Sequence, residues 1–300
     1  MSWIFSCVLS TVFLGCYSLS VKHAVHDNAV LPVLFVANLF SAVVWITLIS
    51  AGQFSVTAPY VPDVLITSHI DGAQHLQLML KAVMVGIIWM LIYFGMKNLP
   101  VSLASPILST NPVWMVVVAI IVLGERLSVL QWLGVAITLT AFVSLSRVGS
   151  QEGVCFLKNR AVWLVVCGVL LSAPSGLYDK WLLAHAGFSS ATLQAGFSIY
   201  LALLFLPLAV GWKLRLWERN RFTWRWSILL VSVFLLLSDF FFFQALRSPD
   251  GLLSLVACFR RGEVLVVFAG GIILFGEKNI RQKLPIVALL LTGIGITMLG

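Results

Sequence analysis

Long apolar blocks alternate along this chain with short polar breaks. About 20 apolar residues are needed to cross the hydrocarbon core of a bilayer as a helix. Ten blocks reach that length, at roughly 3–21, 30–51, 78–96, 101–123, 128–146, 161–180, 189–211, 226–246, 252–275 and 284–300. The pattern predicts an all-α integral membrane protein with ten transmembrane helices. Three connections are longer than the rest. Residues 52–77 read as an interfacial loop with a short amphipathic piece, and 147–160 as the link between two halves. Residues 212–225 mix Trp with Arg, the combination suited to headgroup depth. Too little chain lies outside the blocks to build a soluble catalytic domain.

Composition points to the same solvent. Of 300 residues, 60% are hydrophobic and 10% charged, whereas soluble domains carry about 25% charged residues. The net charge of +8 therefore reads as membrane orientation, and no soluble basic patch suggests nucleic acid as a partner. Of the nineteen Lys and Arg, thirteen fall in odd-numbered connections, four (counting Lys81) in even ones, and Arg260 and Arg261 inside a span. The positive-inside rule puts the odd connections in the cytoplasm and both termini outside. A multi-pass protein of the cell inner (plasma) membrane is expected. The five cysteines sit mostly in apolar runs without paired spacing and read as packing residues. "FLGC" (13–16) faintly suggests a lipoprotein cleavage site, but "MSWIFS" has no basic n-region, so a retained first helix is expected.

An internal repeat runs beneath the blocks. "VLGERLSVLQWLGVAITLT" (122–140) aligns without gaps to "LFGEKNIRQKLPIVALLLT" (274–292), at the offset that carries Gly124 to Gly276, 152 residues. Both Gly-Glu pairs fall between the fourth and fifth spans of their halves. As local structure they read as helix-end turns, with Glu125 and Glu277 favouring the positive start of the next helix. Five spans per copy is an odd number, so the second copy would be inverted in the membrane. Inverted repeats typify transporters, with the substrate site near the midplane between the copies.

The ordered motifs "LPVSLASPILSTNPVW" (99–114), "LGERLSVLQWLG" (123–134), "SGLYDKWLL" (175–183), "SDFFFFQAL" (238–246), "FRRGEVLVVFAGGIILFGEK" (259–278) and "GIGITMLG" (293–300) resemble the drug/metabolite transporter superfamily, EamA type, over essentially the whole chain. The resemblance implies two EamA-like five-helix repeats, here 1–150 and 151–300, around a central cavity for small metabolites. It also implies cytoplasmic termini, against the charge distribution; the charge distribution is followed here.

Charges at depth mark the candidate site. Arg260, Arg261 and Glu263 lie mid-span, where each charge costs about 2.5–3.5 kcal/mol on insertion scales. The repeat offset matches residues 260–263 to Leu108, Ser109, Thr110 and Asn111, with Pro112 next. Proline frees a carbonyl one turn earlier, and in transporters such backbone lines the cavity. Asp239 sits in the apolar run "LLLSDFFFF". Asp239 and Arg260 lie at equal distances from the "SPDG" turn (248–251), which makes an ion pair geometrically available, with Glu263 on the same face as Arg260. Tyr178 and Lys180, beside Asp179, would sit at the cavity mouth; Lys180 and Lys22 read equally as lysines snorkelling to the interface. His23, His26 and Asp27 lack a fourth ligand, so no metal site is expected. No cofactor is expected either: the chain has no G-x-x-x-x-G-K-[ST] fingerprint, which leaves a gradient or exchange as the drive.

These features predict a secondary transporter, an exporter or exchanger, for a small polar metabolite such as an amino acid or other carboxylate. Glu263 or Asp239 would carry a coupling proton if one is used. The partners are the bilayer and a small solute, and the assembly a monomer or homodimer. A multidrug exporter of lipophilic cations would need an unpaired membrane carboxylate. A membrane-embedded enzyme would need a nucleophile with an acid–base partner, and a non-transporting scaffold or sensor would not need repeated polar centres.

Overall fold

The computed structural model describes residues 3–53, 60–111, 113–114, 128–130, 132–134, 136–138, 140–141, 144, 158–216, 220–247, 256, 260, 262–276 and 280–299. Among these the fold is entirely helical: α1 (Trp3–Val25), α2 (Val30–Gln53), α3 (Gly72–Asn98), α4 (Val101–Ser109), α5 (Arg160–Ala184), α6 (Ser190–Lys213), α7 (Trp226–Arg247), α8 (Glu263–Phe275) and α9 (Ile280–Leu299). Every described residue from 129 to 144 is helical as well. Six helices, α1 to α3 and α5 to α7, are long and apolar enough to cross a membrane. Helices satisfy their own backbone, as hydrocarbon requires. The chain is a multi-pass membrane protein.

α3 begins six residues before the expected span. Asp71 caps it, accepting from Gln74 N at 2.7 Å, while Gln74 Oε1 accepts from Asp71 N at 3.0 Å. The added turn is polar but has partners across the fold. Gln74 Nε2 donates to the Ala186 carbonyl (3.3 Å), and His75 Nδ1 meets the Tyr200 hydroxyl at 2.7 Å. The expected loop at 52–77 is correspondingly shorter, and a 3-10 turn at Asp63–Leu65 lies within it.

Two expected spans are interrupted rather than continuous. α4 ends at Ser109, Thr110 forms a turn, and Asn111 resumes helix. Val113 N bonds the Thr110 carbonyl at 3.0 Å, a three-residue spacing. The 252–275 span is helical at Val256 and Arg260, turns at Gly262 and restarts as α8. There Leu265 N bonds the Gly262 carbonyl at 3.0 Å.

Packing joins early helices to late ones. α1 lies mainly along α7, α2 along α6 and α3 along α5, with further contact of α8 on α1 and α4. Reciprocal serine bonds stitch the first pair: Ser10 Oγ donates to the Ser238 carbonyl (2.9 Å), and Ser238 Oγ to that of Ser10 (3.1 Å). Close approach of α3 to α5 depends on Gly95, where an added Cβ would meet the Ala161 carbonyl oxygen at 2.9 Å. Lys22 does not snorkel. It is buried and donates to the Met96 carbonyl at 2.9 Å and to that of Leu99, capping the end of α3.

Candidate functional site

A cavity of about 200 Å³ opens where these pairings converge. α1 supplies Tyr17, α3 Lys81 and Trp89, α5 Ser175 and Asp179, α6 Phe197, and α7 Asp239, Phe242 and Phe243; Asn111 and Arg260 complete it. Pro174 lies inside α5 beside this wall. It lacks the N–H that would pair with the carbonyl one turn back, and Ser172 bonds the Val169 carbonyl at 2.7 Å in the same turn.

Four lining residues form two largely buried ion pairs. Arg260 Nη2 donates to Asp239 Oδ1 at 2.7 Å and to Ser238 Oγ at 3.3 Å, with its guanidinium carbon 4.3 Å from the centre of the Phe242 ring. Lys81 Nζ lies 2.6 Å from Asp179 Oδ1 and donates to the Ser175 carbonyl (3.2 Å) and hydroxyl (2.7 Å). Both acids have a cation within contact, the condition for holding charge away from water. Among the described residues that line the cavity, Asn111 Oδ1 and Arg260 Nε are buried with no hydrogen-bond partner, and Asp179 Oδ1 has its ionic contact with Lys81 but no aligned hydrogen bond. Above them Tyr17 and Tyr93 share a hydroxyl contact of 3.1 Å. The arrangement can accept a polar solute by exchanging its own ion pairs and supplying the open amide, against an aromatic wall.

Residues 1–147 match the model of the EamA-like transporter family. The resemblance read from the motifs to the drug/metabolite transporter superfamily is thereby shown, and EamA-like proteins are a family of transporters. Seventeen chains of solved structure match. One, titled "Crystal structure of protein", aligns over 100% of this chain and 98% of its own, with a TM-score of 0.64 at 13% identity. At that identity the likeness is one of fold. No curated protein matches.

The EamA-like half gives the cavity Tyr17, Lys81, Trp89 and Asn111, and the rest of the chain gives both acids and Arg260. Arg260 and Asp239 form the pair that equal depth suggested. Asn111 lines the cavity. Thr110 is buried, but its hydroxyl donates to the Ile107 carbonyl (2.7 Å) and receives Trp114 Nε1 at 3.2 Å, serving the helix break. Ser109 ends α4; its side chain lies outside the described residues, as does Arg261. Glu263 is buried at the first position of α8, a favourable place for a carboxylate. Tyr178 is half-buried, stacks on Trp181 at 5.8 Å and donates to the Gln77 carbonyl (3.3 Å). Lys180 is exposed, while Asp179, one residue and 100° of helix away, turns inward.

Sequence reasoning missed Lys81 and Asp179. Lys81 was counted with the even-numbered connections, yet it is buried nine residues past the start of α3. It lies inside the apolar block 78–96, the same signal that singled out Asp239. Asp179 was read only as a neighbour of Lys180.

Proposed function

We propose that this protein is a secondary transporter, an exporter or exchanger of a small polar metabolite such as an amino acid or other carboxylate. The observation that carries the reading is a charged cavity lined from both halves of the bundle. Its volume of about 200 Å³ equals roughly seven waters, below the ~300–1,000 Å³ of drug-sized pockets. That size, with a cation on each lining acid, favours a small solute over a lipophilic drug. No catalytic role is proposed.

The ten-helix arrangement in two inverted copies, 1–150 and 151–300, is part of the proposal, and packing supports it. If α1, α2 and α3 correspond to α5, α6 and α7, the α1–α7 contact mirrors α5–α3, and α2–α6 maps onto itself. The turns at Thr110 and Gly262 stand 152 residues apart, the offset of the sequence repeat, and so do the donors Val113 and Leu265. Rocking of the two copies would expose the cavity to each side in turn. Arg260, Arg261, Glu263, Asp239, Ser109, Thr110 and Asn111 form the polar centre of this reading, with Tyr178 and Lys180 at its margin. The inner membrane, non-cytoplasmic termini, a coupling proton and a monomer or homodimer complete it.

A thermal-shift screen of the purified protein against small metabolites, followed by flux of the hits into proteoliposomes, tests the proposal. Protein-dependent, saturable flux is expected, reduced in Asn111→Ala without loss of folded protein. Stabilising hits that never cross the membrane would overturn it in favour of a sensor.

A further inference from the structure

The two ion pairs of the cavity are chemically unequal. The planar fork of Arg260 is pre-organised for a carboxylate. It also keeps Ser238 and the Phe242 ring as partners, and its pair with Asp239 is made within residues 151–300. Lys81 meets Asp179 as a compact ammonium without such a fork. This pair also joins the EamA-like half to the second, α3 to α5.

We propose that Lys81 and Asp179 are a proton-exchanging pair. A solute carboxylate replaces Asp179 at the Lys81 ammonium, Asp179 takes up one proton, and anion and proton occupy the cavity together. The proposal rests on the transporter reading and assigns its proton to Asp179 rather than to Glu263 or Asp239.

Charge balance carries it. The resting pair sums to zero. An entering carboxylate on Lys81 leaves Asp179 ionised, buried and without its cation, the condition that drives a carboxylate to its neutral form. One proton adding to the Asp179 carboxylate then restores zero, with Lys81 positive, the solute negative and Asp179 neutral. No other bond forms or breaks. Lys81 stays in place through the exchange because the Ser175 carbonyl and hydroxyl hold it independently of Asp179.

Among the described residues that line the cavity, none offers Asp179 a ready second cation. Toward the cavity α1 presents Tyr17, α7 presents Asp239, and Arg260 is engaged by that acid. α6 contributes only the apolar Phe197, and the α4 side only the neutral Asn111. Since the pair bridges α3 and α5, protonation releases an ionic tie between the halves at the moment the solute is bound. That links loading to rearrangement.

The test begins without a substrate. Infrared difference titration of the full-length protein in lipid follows the carbonyl stretch of a protonated carboxylic acid. A titrating band is expected that disappears in Asp179→Asn and persists in Asp239→Asn. Where Asp179→Asn does not fold, Asp179→Glu should keep the band with a shifted midpoint. A band unaffected by either Asp179 variant, or lost in Asp239→Asn instead, overturns the assignment. Proteoliposomes with an imposed pH gradient, and lactate and L-alanine as carboxylate probes, supply the second readout. The gradient should drive accumulation in the parent, and that dependence should vanish in Asp179→Asn whatever its downhill flux. Flux of a probe with unchanged gradient dependence in the variant also sinks the proposal. If neither probe crosses, the transporter reading loses support while the infrared result still decides the proton site.

Discussion

Arg260 is tolerable in an apolar bundle because three groups share its charge: the Asp239 carboxylate, the Ser238 hydroxyl and the face of Phe242. A guanidinium is weakly hydrated and suits this mixture of a fork and a ring. Removing the acid leaves the cation without its counter-ion, and breaking a buried pair costs about 3–5 kcal/mol. Asp239→Asn should therefore lower the thermal unfolding temperature in detergent markedly. Lys180→Gln, a change at an exposed position, should leave it within the ~0.5 kcal/mol range of surface substitutions. Equal melting of the two variants would remove the pair from the account of stability. The polar centre was partly legible at this scale. Asp239, Arg260 and Asn111 stand out because a charge or a full amide in an apolar run has no bland explanation. Asp179 stood next to a lysine near a helix end, where polar residues are common, and so carried no signal of its own.

α3 is longer than its apolar core. Apolar length reports only the part in hydrocarbon, and α3 extends beyond it because Asp71 and Gln74 cap its start and its first polar turn finds partners on other elements. Contact between helices depends on where a Cβ is missing. At Gly95 an added methyl would press on the backbone of α5, the Ala161 carbonyl at 2.9 Å and the Val165 nitrogen at 3.3 Å, and backbone cannot turn aside. Gly95→Ala should cost about 1–3 kcal/mol, as overpacking does. Gly72→Ala has nothing within 4 Å and should be neutral or slightly stabilising. Unfolding temperatures of the two variants check the contrast. Pro112 had marked a break near Thr110, whereas the break at Gly262 was not foreseen, although the repeat pairs the two residues. Propensity marks Gly as a weak helix residue, but whether a helix yields there depends on what its neighbours do with the freed backbone groups. Glu125 and Glu277, read as helix starts, lie outside the described residues.

At the scale of the whole molecule, Lys81 leaves the even-numbered connections because it lies nine residues inside α3, away from either end. The bias of basic residues then stands at thirteen to three, four less Lys81. Long-range packing does not set membrane orientation; the distribution of Lys and Arg near the ends of the spans does. Reporter fusions at each terminus, active on one side of the membrane only, should report both termini outside the cytoplasm. Cytoplasmic activity at both ends would show that features other than the basic bias set the orientation.

The sequence by itself determined the solvent and the helical class, and it carried the resemblance to EamA-like transporters. A chain this apolar has to lie in a bilayer, hydrocarbon forces each span to satisfy its own backbone, and the family motifs lie in continuous stretches of the sequence. It also singled out Asp239, Arg260 and Asn111, since charges at depth are too costly to be incidental. Only the tertiary structure decided that Lys81 faces Asp179. Lys81 and Asp179 are 98 positions apart in the chain, and their pairing depends on α3 and α5 approaching closely and on helix rotation turning Asp179 inward and Lys180 outward. Helical rotation and interhelical distance are collective properties of packing, set by small residues such as Gly95 on one helix and the backbone of another. No local pattern around either charged residue encodes them.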